Sequence, residues 1–562
     1  MIDLRVKPFN LNEQQIEWVK TTFESLTVDE KIGQLFCPIL FTKEKDELVN
    51  FLLKYKPGGI LYREAFANEL YNANKILQEN SRIPLLIAAN LESGGCGAVL
   101  EGTYYGRQML VSATQDNSKA YELGKISCEE AKSVGVNWAF APVVDLDLNY
   151  HNPIINVRSF GKDVNTVSQM SLCYTKAASE SGVIACPKHF PGDGVDERDQ
   201  HLLTSVNSFS CEEWDSSYGK IYKDLINSGV LSIMAGHIAL PAYEEKFDKS
   251  PCNRIVPATL SKNILQKLLR EQLNFNGLIV TDATPMVGFC SVMERKLSVP
   301  LTIENGCDMF LFNKNIDEDY QYMKDGYNKG ILSEQRLNDA VLRILAVKAA
   351  VNLHIKQKEK SLVPDKAAMN VIACRKHLAM ARDCADKGVT LVKNLENIIP
   401  VNVRKHKRVL LEILGDFTSN ARVQQIFIDK LKNEGFEVTL YKNEGFEVLQ
   451  DTVEQFKSKY DLVLYVANIE TASNKTTARV NWHTMFGMGN NIPWMVCELP
   501  VVFVSIGNPY HLLDVPMVKT YINGYCNSEF VIEAIINKLL GKSEFLGKSP
   551  VDPFCGRKDL RL

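Results

Sequence analysis

Over roughly the first 350 positions, apolar residues fall into short unbroken runs separated by amphipathic stretches. Strands are expected near Gln34–Leu40, Gly58–Tyr62, Leu85–Asn90, Trp138–Val144, Val183–Pro187, Leu231–His237, Leu278–Asp282 and Met309–Phe312. Runs that are apolar at every position, rather than at alternate ones, mark strands covered on both faces, as in a parallel sheet. The stretches between them carry helix signals. Thr27-Val-Asp-Glu30 is a capping box, and so is Ser210-Cys-Glu-Glu213, which opens a helix expected to reach Asn227.

This alternation predicts an α/β fold with an N-terminal (β/α)8 TIM-type barrel over residues 1–356. A doubly wound open sheet shares the local pattern. Polar residues favour the barrel. Asn90-Leu-Glu92, Asp145-Leu-Asp147, Lys188-His189, His237 and Asp282 sit at or just past the ends of different expected strands. A barrel gathers its site from many strand ends, an open sheet from one switch point.

The helical stretch Glu334 to Lys356 is expected to close the barrel, and residues 357–370 read as a linker. Residues 371–562 show a second pattern, a smaller C-terminal α/β sandwich domain with a parallel sheet. Its strands are expected at Val389–Val392, Val409–Leu414, Val438–Tyr441, Leu462–Val466, Val501–Ser505 and Tyr521–Gly524. The heptapeptide K-N-E-G-F-E-V occurs at 432–438 and again at 442–448, too few copies for a solenoid.

Charge narrows the partners. Lys+Arg 64 against Asp+Glu 67 leaves a net charge of -3, with no footprint for nucleic acid or an anionic membrane. The first ten residues lack the apolar core of a signal peptide, and no apolar run is long enough to span a bilayer. The 14 cysteines are scattered with no C-x-x-C pair, which suits reduced thiols and a cytoplasmic location.

The densest polar segment runs from Lys188 to His201, K-H-F-P-G-D-G-V-D-E-R-D-Q-H. Its proline and glycines predict a loop. Asp199 and His201, two apart, share a side in extended backbone, so the carboxylate can orient the imidazole as a proton donor. A surface loop with an ordinary ion pair stays open. A metal reading of His189, Asp193, Asp196, Asp199 and His201 matches no standard ligand spacing. Asp282, in G-L-I-V-T-D-A-T-P-M ending at Met286, closes an apolar strand. There it could attack an anomeric carbon, or simply cap the next helix.

Together these segments resemble the family 3 glycoside hydrolases, in particular their β-N-acetylhexosaminidase branch. The resemblance rests on L-T-V-D-E-K-I-G-Q-L at Leu26, N-P-I-I-N-V-R-S-F-G at Asn152 and K-H-F-P-G-D-G at Lys188. D-Q-H at Asp199, A-G-H-I-A-L-P at Ala235, P-A-T-L-S-K at Pro257 and G-L-I-V-T-D-A at Gly277 complete it. It implies Asp282 as nucleophile, Asp199 and His201 as acid/base dyad, and Lys188, His189 and Arg158 as sugar ligands. Asn90, His237 and Met286 are expected in the substrate shell. Asn90 stands where the family has an aspartate, an arginine shortly after it has no counterpart, and Val157 replaces a residue that is polar in some members.

The expected activity is retaining hydrolysis of a terminal β-linked N-acetylglucosaminide, a small carbohydrate or a glycopeptide, without metal or organic cofactor. A β-glucosidase or β-xylosidase, a glycoside phosphorylase and a non-catalytic glycan-binding relative are the alternatives. Assembly, a homodimer included, is left open.

Overall fold

The computed structural model describes residues 2–248, 255–415, 419–441, 451–482 and 491–562, and the backbone of 484–485 and 488–489. The second heptapeptide copy at 442–448 lies outside them. The chain divides into two compact units. Met1–Tyr104, Ala120–Asn152 and Asp163–Leu378 form the first; Tyr105–Lys119, Pro153–Lys162 and Ala379–Leu562 form the second. The stretch expected as a linker falls inside the first unit.

Each apolar run expected in the first unit contains a strand, though a shorter one. Parallel pairing runs from Ile39–Leu40 to Gly59–Tyr62, Leu86–Ala89, Trp138–Ala139 and Ile184–Ala185. Ser232–Ala235 pairs with Leu278–Thr281, and Phe36–Cys37 with Phe310–Leu311, also parallel. Single contacts lie between these ladders. The Met234 amide donates to Pro187 O at 3.0 Å, and Gly58 to Phe36 O at 3.1 Å; isolated bridges join Phe190 to Ala235 and Val280 to Met309. In three of the runs a proline contributes, since Pro38, Pro142 and Pro187 bring no N–H to a ladder.

Both capping boxes form. Thr27 and Glu30 cap each other's amides, as do Ser210 and Glu213. The expected Glu334–Lys356 helix is two helices, Glu334–Ala350 and Leu353–Lys358. Asn352 breaks it in the left-handed region at φ 58. Gln15 Nε2 holds the break, donating to Ala349 O at 3.0 Å and Asn352 Oδ1 at 2.9 Å.

The interior is apolar with a few satisfied polar ties. Trp138 and Phe140 are buried against each other at 4.7 Å, as core. Trp138 Nε1 donates to Ser232 Oγ, which donates to Ala185 O. One buried carboxylate, Asp308, takes hydrogen bonds from Arg270 at 2.5 Å, Arg336 at 2.8 Å and the Ile279 amide at 2.8 Å. Arg343 approaches it to 3.8 Å. Burial, then the charge of Arg343, pushes Arg270 down to about 9.

The second unit holds a six-stranded sheet. Its spatial order is Thr390–Asn394, Thr520–Asn523, Val501–Ser505, Leu462–Ala467, Arg408–Leu414 and Glu437–Leu440. All six expected strands are present. The sheet is mixed rather than purely parallel, because Thr390–Asn394 runs antiparallel at its edge, with a bulge between Leu391 and Lys393. Tyr465, Phe503 and Tyr521 stack across neighbouring strands at 6.0 and 5.5 Å. Among the described residues no helix is long and apolar enough to cross a membrane.

Candidate active site

Strand ends of the first unit deliver the polar residues to one place. Asp282 follows Leu278–Thr281, and its amide donates to Ala235 O at 2.7 Å. Its side chain is 14% exposed, and Oδ1 accepts the Ala283 amide at 2.7 Å. Oδ2 lies 3.7 Å from His189 Nε2. Burial pushes this carboxyl up, but the imidazoles of His189, His237 and His201 and the Ala283 amide outweigh it. Asp282 is held below the ordinary carboxylate range.

The expected loop after Ile184–Ala185 carries both histidines. His201 Nδ1–H donates to Asp199 Oδ1 at 2.7 Å, and the same oxygen accepts the His201 amide at 2.9 Å. Asp199 is fully buried, while the imidazole is 25% exposed. With Nδ1 committed, Nε2 is the atom left to exchange a proton. The loop is seated on the turn beyond Asp282: the Val287 amide donates to His201 O at 3.0 Å, and Thr204 Oγ1 to Gly288 O at 2.9 Å. A Cβ on Gly288 would stand 2.5 Å from Gln200 O. Met286, expected in the substrate shell, is buried and accepts the Phe289 and Cys290 amides with its carbonyl.

Lys188 is buried and ion-paired with Glu92 at 2.7 Å, with Asn90 Oδ1 at 3.5 Å. The charge that Asn90 lacks is thus supplied beside Lys188 by Glu92, two residues on. Asp145 was visible in the sequence only as a rim residue. Its Oδ2 accepts from His189 Nδ1 at 2.6 Å, and its Oδ1 accepts the amides of His189 and Asp193 at 3.1 and 2.8 Å. Asp193 is buried, and burial followed by the Asp145 charge pushes its carboxyl up to about 8.

His237 is buried with both ring nitrogens engaged. Nε2–H donates to Ala283 O at 3.0 Å, so Nδ1 accepts from Thr259 Oγ1 at 2.9 Å. Burial, outweighing the Asp282 charge and the Ala283 carbonyl, lowers its pKa. Both nitrogens are thus taken up within the protein, and the ring ties the Ala283 turn to Thr259. Gln200 completes that link by accepting the His237 amide at 2.8 Å. Arg158 belongs to the second unit, on the 3-10 turn Asn156–Arg158, where Nη1 donates to Ile154 O at 3.2 Å. Asp196 takes Arg198 and the Val206 amide instead of joining the histidines. Among the described residues no three His, Cys, Asp or Glu side chains converge as metal ligands.

The model of the glycosyl hydrolase family 3 N-terminal domain matches residues 27–347. A beta-N-acetylglucosaminidase/beta-glucosidase of Cellulomonas fimi is 43% identical over 571 residues, spanning 100% of both chains. Beta-hexosaminidase A of Pseudoalteromonas piscicida is 27% identical over 68% of this chain and 66% of its own. Among solved structures, the beta-glucoside phosphorylase BglX bound to 2FGlc superposes with a TM-score of 0.94 at 41% identity, over 99% of each chain. A beta-N-acetylglucosaminidase from Paenibacillus sp. str. FPU-7 has the same fold, with a TM-score of 0.77 at 22% identity over 94% of this chain and 99% of that one.

Proposed function

The chain belongs to glycosyl hydrolase family 3, and from that premise we propose that it is a retaining enzyme acting on a terminal β-linked N-acetylglucosaminide or a related β-glycoside. One observation carries the reading. The Asp282 carboxyl, held below the ordinary range, lies 3.7 Å from His189, on a turn that is hydrogen-bonded to the loop presenting a second, partly exposed imidazole, His201. Asp282 attacks the anomeric carbon, while His201, charged and oriented by Asp199, protonates the leaving oxygen through Nε2. The same Nε2 then takes the proton of the incoming acceptor. Acid–base help of this kind is worth roughly 10²–10⁴-fold. The parallel ladders and the single contacts joining them support a (β/α)8 barrel with its site at the strand ends.

A second reading concerns the acceptor. Glycosidases commonly activate water with a carboxylate, whereas the base here is an imidazole, which does not repel an anion. The 41%-identical relative is a beta-glucoside phosphorylase. Inorganic phosphate in place of water is the natural variant of the same mechanism.

A panel of aryl β-glycosides of N-acetylglucosamine, glucose and xylose, each with and without phosphate, tests the assignment. Release of aryl alcohol is expected from at least one, and Asp282→Asn should lower it by more than about 10³-fold. Undiminished turnover by that variant would refute the nucleophile. Glycan binding with no turnover of any substrate would favour a non-catalytic relative.

A further inference from the structure

Two carboxylate–imidazole couples flank Asp282, and they are built alike. In each, an aspartate accepts both the backbone N–H and the Nδ1–H of its histidine: Asp199 for His201 at 2.9 and 2.7 Å, Asp145 for His189 at 3.1 and 2.6 Å. They differ in access. The His201 ring is 25% exposed, whereas the His189 ring is 4% exposed and Asp145 fully buried. An imidazole shut away in this manner is poorly placed to trade protons with a departing group. Its remaining nitrogen faces Asp282 Oδ2 instead. A lone pair aimed at a carboxylate oxygen would be repulsive, so the geometry suits a ring with N–H on both nitrogens. Asp145 is also anchored independently of the histidine, by the Asp193 amide.

We propose that Asp145 is a positioning residue for the second half of the reaction. It holds His189 with an N–H aimed at Asp282, and so stabilises the negative charge that returns to that carboxylate when the glycosyl–enzyme bond breaks. The inference rests on the reading of Asp282 as nucleophile. In the step concerned, the acceptor oxygen forms its bond to the anomeric carbon and gives its proton to His201 Nε2. The bond from that carbon to the Asp282 oxygen breaks, and its electron pair stays on the carboxylate. The outer couple moves the proton; the inner couple receives the charge. Among the described residues, the charged or titratable groups around His189 and its two carboxylates include Asp193, His201, His237, Cys186, Tyr218, Tyr222 and the Lys188–Glu92 pair.

Asp145→Asn tests this in the full-length protein. The amide oxygen can keep the two backbone N–H bonds, but an NH₂ then opposes Nδ1, so the ring gives up the proton there and faces Asp282 with a neutral Nε2–H in place of an imidazolium. Rapid-quench kinetics with the best aryl glycoside should show the post-burst rate slowed at least tenfold relative to the burst phase. Intact mass should show one glycosyl residue retained on the protein, and the acid limb of kcat/KM should move to higher pH. His189→Gln, which removes the charge without touching Asp145, should reproduce the burst and supplies the answer if the first variant fails to fold. Equal slowing of both phases, or slowing of neither, with a pH profile superposable on the parent's, overturns the proposal and leaves Asp145 a folding residue. If Asp282→Asn stays active, it is the nucleophile assignment that fails; if that variant is dead and no burst appears, only this inference does.

Discussion

Three histidines stand near one carboxylate, and their hydrogen bonds give them different work. His201 commits Nδ1 to Asp199, His189 points Nε2 at Asp282, and His237 spends both nitrogens on Thr259 and Ala283. The same logic separates the aspartates. Asp282 sits below the ordinary range, so the acid limb of activity should fall at lower pH than a free carboxylate's. Asp193 is its opposite, pushed up to about 8 by burial and the Asp145 charge. Unfolded, it would titrate near about 3.9. The folded state thus binds the proton more tightly. The stability this lends is complete below the unfolded value, shrinks as pH rises, and is gone above about pH 8. The loss is at most about 1.4 kcal/mol per pH unit. Asp193→Asn imitates the protonated form, so its melting temperature should fall less between pH 6 and 9 than the parent's. Parallel melting curves for the two proteins would exclude the assignment.

At the level of elements, the acid/base loop is located by its seat on the turn after Asp282. Gly288 is the contact point, since a methyl there meets the Gln200 carbonyl at 2.5 Å. Gly288→Ala should push the His201 loop off the turn and lower kcat/KM by about tenfold or more, misplacement being costly out of proportion to its size. Circular dichroism should be unchanged; full activity in a folded Gly288→Ala protein would mean the loop is located otherwise. The sequence made the strands, both capping boxes, the loop character of Lys188–His201 and the Asp199–His201 couple legible, because each is a local pattern. It exaggerated strand length where Pro142 and Pro187 interrupt an apolar run that hydropathy alone continues. It missed the Asn352 break, which is held by Gln15 from the far end of the chain. It could not pair Asp145 with His189, 44 residues apart, nor Glu92 with Lys188. It put His237 in the substrate shell from its place at a strand end, and nothing local reveals that Thr259 and Ala283 occupy both ring nitrogens.

At the scale of the whole molecule, one buried charge is answered by several partners. Asp308 is fully buried with Arg270, Arg336 and Arg343 around it. Asp308→Asn would leave these cations facing one another, and a loss of roughly 3–5 kcal/mol is expected in urea unfolding. A midpoint unchanged from the parent's would show the clamp to be dispensable. The division of the chain has a temporal meaning as well. Tyr105–Lys119 and Pro153–Lys162 emerge early from the ribosome, yet they fold with partners made hundreds of residues later. The Lys548 amide, for instance, bonds Ala113 O at 2.9 Å, and Pro550 fills the space beside Gly161. Neither unit can therefore be finished, excised or exchanged as a single stretch of chain. A nascent protein released at Leu378 would carry two unfinished seams, open to chaperones until the last residues arrive to close them.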